Sequence, residues 1–316
     1  MRKNVLSIVI VLLTATFLYA LNDDPEYLKA RKDGGDVRLI IKVVNDEGVA
    51  VVGASLDVLM GMNFREKSYS ITGISDRSGI FLAEGKTTGN EILINVQKDG
   101  YYSSTKKICL IEMGKEFRVK DGRWQPWGIE VSLYLREIRQ PSDLVIFNQY
   151  ISVPATNTWM GFDMQLKDWI EPFGKGKDSD FEMFLIWDGK PQYTTEETSL
   201  EMRFREAHAG CYAFDNFPDC EFGGAYLADT NRFMHVSQRF SSGSNDGTPW
   251  QKGLDESQSL VLRTRCKETD DGNLLKANYS TIKGIGVSAG WKGRVKMWMR
   301  YYFNPVSNSL NLEPRR

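Results

Sequence analysis

Val37-Arg38-Leu39-Ile40-Ile41-Lys42-Val43-Val44, followed by the turn Asn45-Asp46-Glu47-Gly48, opens the stretch that decides the fold, Asp36 to Glu112. Val37, Leu39, Ile41 and Val43 share one face of an extended chain, and Arg38, Ile40, Lys42 and Val44 share the other, which is the period-two pattern of a half-buried strand. Ala54, Leu56, Val58 and Met60 repeat it, and so do Ile92, Ile94 and Val96 opposite Leu93, Asn95 and Gln97. Ser75-Asp76-Arg77-Ser78-Gly79 and Lys98-Asp99-Gly100-Tyr101 punctuate these runs as turns. Short alternating strands with turn signals at roughly 8 to 20 residue spacing predict an antiparallel β-sandwich.

The order of these signals carries a family resemblance. Asp46-Glu47-Gly48, Val52-Gly53-Ala54, Thr72-Gly73-Ile74-Ser75-Asp76 with Gly79-Ile80-Phe81, and Lys98-Asp99-Gly100-Tyr101 resemble the carboxypeptidase regulatory-like domain over about a quarter of the chain. The resemblance implies a transthyretin-like sandwich in which the matched residues are architectural, and it implies no activity. Zinc carboxypeptidase chemistry would need a His-x-x-Glu pair and a later His. The chain has two His, and His208 is followed by Ala209-Gly210-Cys211.

The first 20 residues read as a signal peptide. Arg2 and Lys3 precede an uncharged run from Val5 to Leu18, and Ala20 supplies a small residue at a cleavage position. A retained signal anchor is the alternative, but a spanning helix needs roughly 20 apolar residues, and Asn22, Asp23 and Asp24 arrive early. No other segment is long and apolar enough to span a bilayer as a helix, so no transmembrane segment is expected in the mature chain, whose destination would be the periplasm, the cell envelope or the exterior. Residues 21–35 form a short helix or linker, with Asp24 as cap, Pro25 at the first helical position and Gly34-Gly35 as terminator.

Ile129, Val131, Leu133 and Leu135 add a strand to the first domain, bounded as 36–139, with Asp121-Gly122 and Trp124 to Trp127 as the connection before it. Pro141 within Arg139-Gln140-Pro141-Ser142-Asp143 marks a linker. Residues 144–316 are again strand-rich. Leu200, Met202 and Phe204 alternate with charged residues, as do Val295, Met297, Met299, Tyr301 and Phe303 with Lys296, Trp298, Arg300 and Tyr302, while Thr269-Asp270-Asp271-Gly272-Asn273 signals a hairpin. The expected class is therefore all-β, with two β-sandwich domains of which the first is transthyretin-like or Ig-like, and the second a sandwich or jelly-roll-like domain. Segments such as Gly161-Phe162-Asp163 and Tyr302-Phe303-Asn304-Pro305 resemble only those of uncharacterised secreted bacterial proteins.

Composition narrows function further. With 40 Lys and Arg against 41 Asp and Glu, the chain carries a formal net charge of −1 and no basic cluster longer than Lys106-Lys107 or Lys175-Gly176-Lys177. It offers no electrostatic footprint for nucleic acid. Four cysteines in an exported chain invite disulfides. Cys211 and Cys220 flank a Pro-bearing loop and are the favoured pair, against the alternatives of four free thiols or of Cys109 with Cys266.

Several motifs carry chemistry in principle. Gly286-Val287-Ser288-Ala289-Gly290 matches the nucleophile elbow of hydrolases, yet both histidines precede Ser288 and the following segment alternates like a strand. His208, Cys211, Cys220 and His235 could in composition hold zinc, although the spacing lacks a second Cys pair and a disulfide would compete for the thiols. Asp215, Asp219, Glu221 and Asp229 could line a calcium site, with a solvated acidic loop as the alternative. Neither a metal nor another cofactor is expected. Aromatic residues give the one positive hint of a ligand: six Trp lie in the second domain, and Trp250, beside the Ser/Gly/Asn-rich stretch 241–249, is the expected ligand contact. The expected function is a non-catalytic, secreted or envelope-associated binding or structural module whose partner is a glycan or protein of the envelope. The alternative is a glycan-active hydrolase using carboxylates of the second domain.

Overall fold

The computed structural model describes residues 24–61, 69–89, 91–111, 118–186, 198–235, 238–245, 248–252, 257–289 and 295–315. The expected signal peptide lies outside these residues. The chain divides into two compact units, one taking residues up to Ile138 together with Pro218–Phe222, the other taking Arg139–Phe217 and Gly223 onward.

The first unit begins with helix α1 (Pro25–Asp33) and continues with β1 (Gly35–Val44), β2 (Ser55–Met60), β3 (Tyr69–Ile74), β4 (Ile80–Thr87), β5 (Ile92–Gln97), β6 (Tyr101–Tyr102), β7 (Ser104–Ile108), β8 (Val119–Lys120), β9 (Arg123–Trp124), β10 (Ile129–Tyr134) and β11 (Arg136–Glu137). Two sheets form a sandwich. In one, β1 lies between antiparallel β4 and parallel β10, with β9 and β8 extending the sheet; the other has the order β3-β2-β5-β7. The alternation read from sequence explains the packing, since Val37, Leu39, Ile41 and Val43 are fully buried and face a core that also holds Leu56, Val58, Met60, Ile92, Ile94 and Val96. Each such side chain stabilises by about 1.5–3 kcal/mol when removed from water.

The turns follow from their residues. Asn45 Oδ1 accepts the amides of Glu47 and Val49, and Asp76 Oδ1 accepts those of Ser78 and Ile80, the local bonding that makes Asn and Asp turn formers. Gly79 closes the second turn at φ +73°, where a Cβ would lie 2.6 Å from the Val43 carbonyl oxygen.

Two parts of this unit differ from the sequence reading. Trp124 is no connector: it sits in β9 with its ring fully buried, and its Nε1 donates to the Thr87 carbonyl at 2.9 Å. Helix α1 is no mere spacer either, because Tyr27 meets the Trp124 ring edge-on at 6.0 Å and Ala30 is buried against the same core. The expected terminal signals do operate, Asp24 Oδ1 accepting from the Glu26 amide and Gly34 ending the helix at φ 87°.

Pro218–Phe222 is built into this unit despite its distance in sequence. Cys220 bridges Ser104 at the edge of β7, Thr105 N donates to Asp219 O and Glu221 N to Ser103 O. Phe222 is buried, its ring 5.1 Å from that of Tyr102 and 5.1 Å from the Arg136 guanidinium, whose Nη1 donates to the Phe222 carbonyl. A domain drawn as 36–139 therefore omits α1 and a part of this core.

The second unit contains β12 (Val145–Ser152), β13 (Trp159–Asp163), β14 (Asp168–Trp169), β15 (Phe181–Ile186), β16 (Thr198–Arg203), β17 (Gly210–Asp215), β18 (Gln238–Asn245), β19 (Thr248–Lys252), β20 (Gln258–Glu268), β21 (Leu274–Ala289) and β22 (Val295–Phe303). A five-stranded sheet, β12-β22-β21-β20-β17, packs against a six-stranded one, β14-β13-β15-β16-β18-β19. Their shared core includes Phe147, Phe162, Met183, Leu200, Leu262, Met297, Met299 and Tyr301. A smaller cluster of Tyr212, Val261, Ala277 and Tyr279 with Ala225, Ala228 and Leu312 covers part of the outer face of the five-stranded sheet. The protein is thus all-β with two sandwiches.

The segment Arg139–Asp143, expected as a linker, is held firmly within this unit. Buried Glu313 accepts the amides of Arg139 and Gln140 on its two carboxylate oxygens, and Ser142 bridges Pro314.

Candidate functional site

The motif residues singled out in sequence do not assemble into a site. Ser288 lies within β21, its backbone paired with Lys296 of β22, and so sits inside a strand rather than at a turn among the described residues. His208 Nε2 is hydrogen-bonded to the Gly272 carbonyl, His235 Nδ1 to the Ala209 carbonyl, and the Cys211 sulfur accepts from Gln238. Cys220 lies in the segment joined to β7, so the four zinc candidates have four separate surroundings. The calcium candidates disperse likewise: Asp219 pairs with Lys106, Glu221 with Ser103, Asp215 with Gln258, and Asp229 accepts the Asn231 amide. No group of three or more His, Cys, Asp or Glu is placed to hold a metal among the described residues.

All four cysteines are free thiols, which corrects the expected Cys211–Cys220 bridge. Cys211 points from β17 into the core of its sheet, fully buried, whereas residues 218–222 leave that strand to join β7. Burial pushes the Cys211 thiol up to about 11 and that of Cys266 up to about 12, where a nearby Glu206 carboxylate adds to the rise.

The second domain's carboxylates do converge, but on an arginine. A bulge in β20 puts Arg265 at φ 51°, turning its side chain toward the loop 163–180. Its Nε and Nη2 take Asp180 in a two-point grip, both at 2.9 Å, while Nη2 also reaches Asp163 at 2.8 Å and Nη1 reaches Gln165 at 2.8 Å and Asp178 at 3.4 Å. Asp163 further accepts the amides of Gln165, Leu166, Lys177 and Asp178, and Asp180 accepts from Met164 N and Thr264 Oγ1. Burial raises the Asp180 carboxyl, against the pull of Arg265. Burial acts the same way on Asp163, where the donors from Lys177, Leu166 and Asp178 outweigh it and lower the value. Every carboxylate oxygen of this pair is occupied by protein donors, which is how buried charges are tolerated. The arrangement fastens a loop.

Outward-facing aromatics give a different picture. Sheet register aligns Gly286, Trp298 and Tyr150 in one rank across β21, β22 and β12, with Gly284, Arg300 and Asn148 in the next, and Lys296 opposite Ser152 beyond Trp298. The Trp298 ring lies across Gly284, where an added Cβ would come within 2.7 Å of the indole. Glycine inside a strand marks close approach, and here what approaches is the benzo edge of the Trp298 indole. Tyr150 is 61% exposed on edge strand β12, while Tyr302 lies in the next outward rank with Lys283 5.2 Å from its ring centre. Tyr150 and Trp298 thus flank the β22 backbone on an open face. Neither Lys296 nor Arg300 has an ion-pair partner among the described residues, unlike Arg203, Arg205 and Arg265.

The expected contact, Trp250, lies in β19 opposite Gly243, its side chain outside the described residues. Stretch 241–249 is no open loop, since Ser241–Asn245 pairs with Thr248–Lys252 as a hairpin. Asp246-Gly247, between the paired Asn245 and Thr248, is the two-residue sequence that signals such a hairpin. Of the other second-unit tryptophans, Trp169 is buried and bonded to the Ser152 carbonyl, Trp159 lies under the Arg203 guanidinium at 3.7 Å, and Trp187 and Trp291 fall outside the described residues.

No protein-family model matches the chain, and no curated protein does. Among solved structures, the chain is similar to the 3-chlorocatechol 1,2-dioxygenase of Rhodococcus opacus 1CP, at 13% identity and TM-score 0.27 over 37% of this chain and 62% of that one. It is similar to BcpA, the major pilin subunit of Bacillus cereus, at 11% identity and TM-score 0.23 over 84% and 95% of the two chains. It is also similar to the shaft pilin SpaA from Lactobacillus rhamnosus GG, at 10% identity and TM-score 0.19 over 75% and 89%. The chain spans about six-tenths of the dioxygenase. At such TM-scores the class stands on the architecture itself, a two-sandwich all-β protein with an open aromatic face.

Proposed function

We propose that this protein is a non-catalytic binding module that takes glycans on the outer face of β12, β22 and β21. One observation carries the reading: the half-buried Trp298 ring reaches across to Gly284 on the outer face of the sheet, with exposed Tyr150 in the same rank on the adjoining edge strand. Flat aromatic surfaces in water suit the apolar faces of sugar rings, and rigid rings lose little entropy on binding. The first unit serves as an accessory sandwich of the carboxypeptidase regulatory-like kind. Its site of action is the cell envelope or the exterior, reached through the signal-like leader. No helix among the described residues is long and apolar enough to cross a membrane, which leaves a β-barrel untouched.

The hydrolase alternative draws no support from the acidic cluster, whose Asp163 and Asp180 oxygens are spent on Arg265, Thr264 and backbone amides. Affinity electrophoresis of the protein against a panel of soluble polysaccharides tests the proposal. Retardation by at least one polysaccharide, with affinity reduced roughly threefold to tenfold by Tyr150→Ala or Trp298→Ala, is expected. Absence of retardation by every polysaccharide, or retardation unchanged in both variants, would overturn it. Turnover of a glycan or ester substrate abolished by Ser288→Ala would overturn the non-catalytic part.

A further inference from the structure

We infer that the glycan taken by this face is acidic, a uronic-acid or similarly anionic polysaccharide. This rests on the glycan-binding reading above and adds the charge of the ligand. The aromatic rank is bracketed by cations, with Lys296 on one side of Trp298 along β22 and Arg300 on the other, both pointing outward because residues 296, 298 and 300 alternate with core-facing Met297 and Met299. Segments 145–152, 280–289 and 295–303, which supply this face, contain no Asp or Glu.

That local excess stands out in a chain whose acidic residues slightly outnumber its basic ones. Elsewhere in the same unit Arg203 and Arg205 share buried Glu182 and Arg265 is enclosed by Asp163, Asp178 and Asp180, while Arg232 and Arg263 are held by backbone carbonyls. Lys296 and Arg300 have no such match among the described residues. A guanidinium beside a stacking ring is suited to two-point recognition of a carboxylate or sulfate. Asn148, opposite Arg300 in the same rank, adds an amide able to accept from a sugar hydroxyl or donate to the acid group. A sugar ring seated on Trp298 or Tyr150 places its ring substituents toward these groups. Position and chemistry together thus fit a ring bearing a negative charge.

Isothermal titration of the whole protein against polygalacturonate and against a neutral galactan separates the possibilities. The expected result is tighter binding of polygalacturonate, weakened by added salt. Arg300→Gln with Lys296→Gln should reduce that affinity about tenfold or more while leaving neutral-polymer binding within twofold. Tyr150→Ala, at an exposed position that leaves the fold intact, should weaken both. Neutral galactan bound as tightly as polygalacturonate, or polygalacturonate binding indifferent to the double variant, would overturn the inference and spare the glycan reading. Polygalacturonate binding indifferent to Tyr150→Ala and Trp298→Ala would place the polymer elsewhere and overturn it too. Binding of neither polymer would overturn the inference, and the wider polysaccharide panel would then decide the fate of the glycan reading.

Discussion

At the scale of single residues, Arg265 is the most consequential side chain of the second unit. Removing one partner of a buried ion pair leaves the others desolvated and uncompensated, at a cost of about 3–5 kcal/mol. Arg265→Ala should therefore lower stability in chemical denaturation by that order, since Asp163 and Asp180 are nearly inaccessible. Acid dependence belongs to the same cluster. Because Asp163 titrates below its ordinary value of 3.8 in the folded chain, its stabilisation is complete above that value and is lost as pH falls through the folded one. The gap in thermal midpoint between the native protein and Asp163→Asn should accordingly be wide near neutral pH and close as pH drops below 3.8. Asp180, raised by burial, slopes the other way and is common to both proteins. Gly284→Ala makes a third case: the new methyl would meet the Trp298 ring at 2.7 Å. It should lift the indole off the sheet, changing Trp fluorescence and weakening any ligand that stacks there.

At the scale of elements, the least local feature is the addition of Pro218–Phe222 to the first unit. Phe222→Ala should cost about 3–5 kcal/mol, as expected for emptying a buried aromatic site. A fragment of residues 24–138 lacks Phe222 and leaves Arg136 without the carbonyl and ring it contacts. Its thermal midpoint should fall below that of the first transition of the whole chain. A fragment beginning at Asp36 should fall further, since it also loses Tyr27 and Ala30 from the Trp124 side of the core. Strands whose two faces differ were legible from alternation alone, as β1, β2, β5 and β22 show. Short pairings such as β8 with β9 were hidden because two residues carry no period, and only the positive φ of Asp121 and Gly122 and the burial of Trp124 define that hairpin.

At the scale of the whole molecule, the thiols offer a global test. Ellman titration at pH 8 should find Cys211 and Cys266 unreactive until the chain unfolds, as their folded values of about 11 and about 12 keep them protonated. Four thiols should appear in denaturant without reductant; fewer would restore a disulfide. Read alone, the amino-acid order carries the all-β class, the turns at Asn45–Gly48, Asp76–Gly79 and Thr269–Asn273, the cap at Asp24, and the inward faces of the long strands. These depend on neighbours a few residues apart, whose periodicity and turn chemistry are written in order along the chain. Long-range packing settles instead that Asp163 and Asp180 close on Arg265, and that Gly284, Trp298 and Tyr150 come together. Those partners are far apart in the chain and meet through sheet register and a bulge, and register is set by the packing of whole sheets, which no local pattern specifies.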